Sequence, residues 1–253
     1  MRVFALSDVH VDYEANAEEL AALSTADYQN DVLILAGDVS DVRGHLDWCF
    51  GMLARRFRKV LFVPGNHDLW VIREKREMDS LEKFHDVMTA VESSGASMRT
   101  FRERGLSIVP LLAWYDYSFG EPSDELRSRW MDFRACRWPS GFTEPDIAAY
   151  FALLNDADRS PADDTVITYS HFVPRADLLP RSTSDKRGML DPILGSTFVE
   201  RQLRGLGSSI HVYGHIHVNR QVTIDGVWYV NNAFGYPHET CNTAKQLKCI
   251  YER

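Results

Sequence analysis

The sequence predicts an α/β fold built on mixed β-sheets. Three observations point to it: short apolar runs recur along the chain, amphipathic stretches lie between the early ones, and a hairpin with a last strand closes it. The runs fall at residues 3–6, 32–36, 60–63, 108–113, 166–169 and 210–213. Runs this short, rich in β-branched residues and apolar throughout, read as strands buried on both faces.

The helices are read from periodicity and end signals. From Ser40 onward, Val42, Leu46, Cys49, Phe50, Leu53 and Phe57 step by three or four and share one face. Residues 72–91 form a charged stretch that also reads as helix. Thr143-Glu144-Pro145-Asp146 is a capped start for a helix carrying Ile147, Phe151 and Leu154. Residues 222–230 read as a hairpin turning on Asp225-Gly226, and a last strand covers residues 247–251. Loops rich in Gly, Pro, Ser and Asp fall near 120–124, 156–164 and 180–195. Each is followed at once by a regular element, so none reads as an interdomain linker. The expectation is one domain over residues 1–253.

Composition narrows the class of protein. The chain has 253 residues, 45% hydrophobic and 25% charged, close to the average for soluble globular proteins. That length buries a sizeable core without disulfide staples. No run approaches the roughly 18 consecutive apolar residues of a membrane helix, and residues 1–6 stop at Ser7-Asp8, too short for a signal peptide's apolar region. The expected location is cytoplasmic, with no membrane partner. The net charge of −8, from 28 Lys+Arg against 36 Asp+Glu, speaks against nucleic acid as a partner. It suits a protein that gathers carboxylates around cations. Cys49, Cys136, Cys241 and Cys249 show no C-x-x-C spacing and are expected to be reduced and buried.

The residues just beyond each apolar run carry the chemistry. Asp8-x-His10 lies after the first, Gly37-Asp38 after the second, and Gly65-Asn66-His67-Asp68 after the third. Trp114-Tyr115-Asp116 lies after the fourth, His171 after the fifth, and Gly214-His215-x-His217 after the sixth. Ligands of open α/β sheets bind outside the carboxyl ends of the strands, so this fold brings the groups together. Singly most of them are weak signals: Gly-Asp is an ordinary turn, and a lone strand-end histidine is an ordinary core residue. Gly-Asn-His-Asp is sharper, arising by chance in on the order of one chain in a thousand. The joint pattern decides, since it holds five of the nine histidines.

In this order the motifs resemble those of the calcineurin-like metallophosphoesterase superfamily, and they span Asp8 to His217. The resemblance implies a four-layer α/β/β/α sandwich of two mixed β-sheets flanked by helices. It also implies a binuclear metal-dependent phosphoester hydrolase holding two divalent transition-metal ions, drawn from Mn, Fe, Zn, Co or Ni. Two such ions about 3.5–4 Å apart need an anionic bridge, and by resemblance Asp38 supplies it. Asp8, His10 and His217 complete one site; Asn66, His171 and His215 complete the other. Nitrogen and carboxylate oxygen donors suit these metals, and no cysteine sits in the motifs.

The same resemblance makes His67 the acid that protonates the departing oxygen, after a metal-bridging hydroxide attacks phosphorus in line. Asp41 has two readings, a carboxylate partner for His67 or the N-cap of the helix that runs toward Phe57. Asp68 is read as an anchor of its loop through backbone hydrogen bonds. Val11 and Val42 depart from the protein-phosphatase pattern, and the paired G-H-x-H is foreign to it. The expected substrate is therefore a phosphodiester or a small nucleotide-like ester. A phosphomonoesterase, including one acting on phosphoproteins, is the enzymatic alternative, and a non-catalytic interaction scaffold is the alternative of another class. A protein partner is not specified.

Substrate contacts are less legible. Trp114 and Tyr115 open an aromatic cap or insert at about 114–142 that also holds Trp130, Phe133 and Trp138. These rings either stack a planar leaving group or form a satellite core under a long loop. Arg134, Arg137 and Arg175 either bind a distal phosphate oxygen or are solvated surface arginines, with Arg175 foremost because it lies four residues past His171.

Overall fold

The computed structural model describes residues 1–74, 76–155, 165–180 and 188–253. Within them, the six apolar runs form strands, and four more strands join them. In chain order they are β1 (Arg2–Leu6), β2 (Val32–Ala36), β3 (Lys59–Val63), β4 (Phe101–Glu103), β5 (Leu106–Pro110), β6 (Thr165–Tyr169), β7 (Ile210–Tyr213), β8 (Arg220–Ile224), β9 (Val227–Asn231) and β10 (Lys248–Glu252). One sheet has the order β10-β1-β2-β3 and the other β4-β5-β6-β7-β9-β8. The inner pairs are parallel, whereas β10, β4 and β8 pair antiparallel at the edges, so both sheets are mixed.

Alternation within the apolar runs explains why they carry no polar face. Val3, Ala5, Val32, Ile34, Ala36, Leu61 and Val63 point inward and meet Leu106, Ile108, Ile167, Val212 and Val230 of the second sheet. Their neighbours Phe4, Leu6, Leu33, Leu35, Val60 and Phe62 point outward, onto Leu20, Leu46, Phe50, Leu53, Val87 and Val91. Those partners belong to the helices Glu14–Ala21, Arg43–Ala54 and Ser80–Ser93. The second sheet's outer face packs on Val199 and Leu203 of the helix Thr197–Gly205. The result is the expected four-layer sandwich of two mixed sheets flanked by helices.

Several elements depart from expectation for local reasons. Of the stretch 72–91 only Ser80–Ser93 is helical. Asp79 starts that helix with a capping box, accepting from the Leu81 and Glu82 N–H groups while Glu82 answers its own N–H. β5 ends at Pro110, three residues before the expected Ala113. β4 forms a hairpin with β5 on Arg104-Gly105, both at positive φ, and its three residues are too few to form an apolar run. Asp225 and Gly226 likewise turn at positive φ, as the expected two-residue hairpin requires. β10 returns to pair with β1 in the first sheet. The four cysteines are free, but only Cys49 is buried; Cys241 and Cys249 are exposed. The loop expected at 156–164 and residues 181–187 of the loop expected at 180–195 lie outside the described residues.

Candidate metal centre

Five parallel strands deliver the candidate ligands. β1 ends into Asp8 and His10, β2 into Asp38, β3 into Asn66 and His67, β6 into His171, and β7 into His215 and His217. The chain must turn sharply after each strand to aim these side chains at one point. Of the eight non-glycine residues at positive φ among the described residues, five are Asp8, His10, Asp38, His215 and His217. Strained backbone of this kind persists where the surroundings enforce it, and it clusters at functional sites.

Two glycines are required by contact. A Cβ on Gly37, itself at φ +84°, would lie 2.4 Å from His171 Nδ1. A Cβ on Gly65 would lie 2.2 Å from Asp38 Oδ1 and 2.7 Å from the His171 ring. Asp68 completes the frame. Its buried carboxylate accepts from the backbone N–H groups of Asp38, Val39, Ser40 and Gly65 at 2.8–3.0 Å, clamping the second and third loops together. Burial pushes its pKa up to about 6, against those four donors.

The donor atoms fall into two groups that share one carboxylate. Asp8, His10, Asp38 and His217 form the first, and Asp38, His171 and His215 the second, with the donor atoms of each within 4.8 Å of one another. In the first, His217 Nε2 lies 3.3 Å from Asp8 Oδ1 and 3.2 Å from His10 Nε2. In the second, His171 Nε2 lies 3.2 Å from His215 Nδ1, 3.2 Å from Asn66 Oδ1 and 3.5 Å from Asp38 Oδ1.

The outer hydrogen bonds select which nitrogen faces inward. His171 donates from Nδ1 to the Ala36 carbonyl at 2.8 Å, freeing Nε2. His215 donates from Nε2 to the Ile193 carbonyl at 3.1 Å, freeing Nδ1. His217 pairs through Nδ1 with Glu239 at 2.6 Å, which turns Nε2 toward Asp8 and His10. Asn66 donates from its amide nitrogen to Asp132 at 2.9 Å, which turns Oδ1 toward His171.

Electrostatics tests whether these residues fit cations. Burial drives the His10, His171 and His215 imidazoles below their ordinary range, which keeps their nitrogen lone pairs free. Burial, then the charges of Asp8 and Asp68, pushes the Asp38 carboxyl well above its ordinary range. Asp8 is held low, its burial outweighed by His217. His217 is lifted to about 10, because Asp8 and Glu239 outweigh its burial. The neutral imidazoles of His10, His171 and His215 beside the buried Asp38 form a donor set suited to divalent cations, and His217 would give up a proton on binding one.

His67 lies beside this cluster. Its ring stacks on Trp70 with centroids 3.7 Å apart, and its Nε2 is 3.9 Å from Asp38 Oδ2. Burial, then His171 and His217, lowers its pKa to about 3. His67, Asp38, Asn66, His215 and His217 line one side of a cavity of about 330 Å³. Leu179, Pro180, Leu190, Leu194, Ile216 and Val218 supply an apolar side, and Trp130 and Tyr236 add aromatic rings.

Other expected site residues lie elsewhere. Asp41 takes neither of its two places. Its carboxylate pairs with Arg73, which also reaches Asp12 at 2.6 Å, and Val42 occupies the N-cap of Arg43–Ala54. Arg175 turns to Asp177, Glu200 and Asp225 at 2.8–3.2 Å, so its charge is spent on carboxylates outside the cavity. Arg134 lines a separate concavity with Val71, Met78 and Cys136. Trp114 and Tyr115 are 0% and 1% exposed and pack with Phe84, Phe151 and Phe172, so they form core and cannot stack on a substrate.

Sequence reasoning missed Asp132, Trp70 and Glu239 as site residues. None lies in a ligand motif; Asp132 and Glu239 meet Asn66 and His217 across 66 and 22 positions, whereas Trp70 stacks on His67 three residues before it. Local spacing held no signal for Asp132 and Glu239.

A sequence profile of the calcineurin-like phosphoesterase family matches residues 1–219, and the chain belongs to that family of metal-dependent phosphoester hydrolases. It is 26% identical over 266 residues to the acyl-carrier-protein phosphodiesterase PptH of Mycobacterium tuberculosis, covering 94% of this chain and 78% of the relative. The crystal structure of phosphopantetheinyl hydrolase (PptH) from Mycobacterium tuberculosis superposes with a TM-score of 0.76 at 24% identity, over 98% of this chain and 95% of that one. That likeness extends the shared fold across the described sandwich. Among the described residues, no helix is long and apolar enough to cross a membrane.

Proposed function

We propose that this chain hydrolyses phosphodiesters at a centre of two divalent cations. The observation that carries the reading is the sharing of Asp38 between the two donor groups. Asp8, His10 and His217 would hold one cation, and Asn66, His171 and His215 the other. When bound, such ions draw negative charge from a phosphate and activate water at neutral pH.

The chain's own residues position the substrate and move the proton. His67 lines the cavity beside Asp38 and donates a proton to the leaving oxygen. A phosphate next to its ring supplies the negative charge that favours the protonated form. Trp70, stacked under the imidazole, fixes the ring plane, a role that Asp41 does not fill. The apolar side of the cavity excludes water from one arm of the ester.

The cavity lining supports a substrate class. It holds neither lysine nor arginine among the described residues. Among these described residues a leaving group bearing several phosphates meets no cationic partner, while a neutral, largely aliphatic arm fits Leu179, Pro180, Ile216 and Val218. This favours a phosphopantetheinyl-type diester, of the kind the relative is named for, over a nucleotide. Residues 1–253 are read as one domain in which segment 114–142 adds a wall to the cavity through Trp130 rather than a separate lid.

The test is turnover of purified protein with added Mn²⁺. Bis(p-nitrophenyl) phosphate and a phosphopantetheine-bearing carrier protein are expected to react faster than p-nitrophenyl phosphate. A strong preference for the monoester would overturn the assignment.

A further inference from the structure

Resting on the cation-centre reading above, we propose that Asp132 is the positioning residue that fixes Asn66 in its ligating orientation and sets the two indoles that flank the site. Asp132 opens the short helix Asp132–Ala135 in the aromatic insert and is 2% exposed. A buried carboxylate is costly unless its oxygens are satisfied. Here Oδ1 accepts from Asn66 Nδ2 at 2.9 Å and from Trp70 Nε1 at 2.7 Å, and Oδ2 accepts from Trp130 Nε1 at 2.7 Å.

The chemistry of an amide makes this arrangement selective. An asparagine presents a donor on one end and an acceptor on the other, and an ionised carboxylate only accepts. With Asp132 on one side, the Asn66 nitrogen must face the carboxylate and its oxygen must face His171 Nε2, 3.2 Å away. The flipped amide would set its oxygen against Asp132 Oδ1 in a buried place, leaving the amide oxygen without a partner. Asp132 thus chooses the one orientation in which Asn66 can ligate a cation.

The same carboxylate reaches the acid and the cavity wall. Trp70 lies under His67, with the rings 28° from parallel. Trp130 lines the cavity and meets the His215 ring edge-on at 6.1 Å. One side chain from the insert therefore ties together a ligand, the ring beneath the acid and a substrate-facing wall.

Calorimetric titration of the cation-free protein with Mn²⁺ tests this. Asp132→Leu removes both acceptor oxygens and keeps a branched side chain. It is expected to weaken one of two classes of Mn²⁺ site by about 10–100-fold, as loss of a ligand's supporting hydrogen bond does, and to lower kcat. Trp130→Phe removes one donor but leaves the Asn66 contact, so it is expected to keep Mn²⁺ affinity and raise KM. Asp132→Leu protein that binds Mn²⁺ like wild type, whatever its melting temperature, would reduce Asp132 to a structural residue and overturn the proposal. Should that variant not fold, NMR of the cation-free wild type decides: the Asn66 side-chain amide is expected to be protected from exchange, and free exchange overturns the proposal. Wild-type protein that binds no Mn²⁺ would instead overturn the cation-centre reading, and this inference with it.

Discussion

The ligand-bearing strand ends and the 114–142 insert face the same cavity, and they reach it by different physical routes. The candidate ligands sit just beyond buried parallel strands, and sheet geometry carries them toward a common point. Their positions are enforced by turns at positive φ and by glycines that side chains would displace. The insert has no such frame. Its rings are placed by packing against one another and by Asp132, which contacts Asn66 and Trp70 more than sixty residues away in the chain. The strand ends fix the chemistry, whereas the insert adjusts it.

Three substitutions sharpen that contrast. The largest expected effect is on the strand-end side. His67→Ala should lower kcat by about 10²–10⁴-fold for diesters with poor leaving groups. It should do little for a p-nitrophenyl leaving group, which departs without a proton, and should leave cation content unchanged. Equal losses for both substrates would remove His67 from the acid role. Gly65→Ala comes next. Its Cβ would intrude on Asp38 and His171, so a loss of about 1–3 kcal/mol in stability, together with weaker cation binding, is expected from melting and titration curves. Unchanged melting would mean that the loop has more room than the contact distances imply.

The smallest effect is expected in the insert. Trp114 is buried in the cluster of Phe151 and Phe172, and its indole nitrogen has no hydrogen-bond partner among the described residues. Trp114→Phe should therefore cost about 1 kcal/mol of stability with KM unchanged. A raised KM at unchanged stability would restore Trp114 as a substrate contact.

The same contrast explains what the sequence disclosed. Six strands were legible because buried strands write unbroken apolar runs, and the hairpin because Asp225-Gly226 is a two-residue turn, while the division into two sheets came from the family resemblance. That Asp8, His10, Asp38, Asn66, His171, His215 and His217 converge was legible because each lies at short spacing past such a run; their roles came from the resemblance. The role of Asp68 as a loop anchor was legible for the same reason. Asp41 was misplaced, and Arg134 and Arg175 were open to two readings, because charge alone does not reveal a partner: Arg73 and Glu200 lie far off in sequence yet take up the charges of Asp41 and Arg175. Trp114 and Tyr115 were open to two readings because aromatic composition is the same in a wall and in a core. Asp132 and Glu239 carried no local mark at all, since their meaning lies in the side chains they meet across the fold.

The sharing of Asp38 by two cation sites is the claim on which the chemistry depends. Elemental analysis after Mn²⁺ reconstitution and removal of excess metal tests it most directly. Two ions per chain are expected in the wild type, with a loss at both sites in Asp38→Ala protein that still melts cooperatively. No retained Mn²⁺ in the wild type, or full retention by Asp38→Ala, would contradict it.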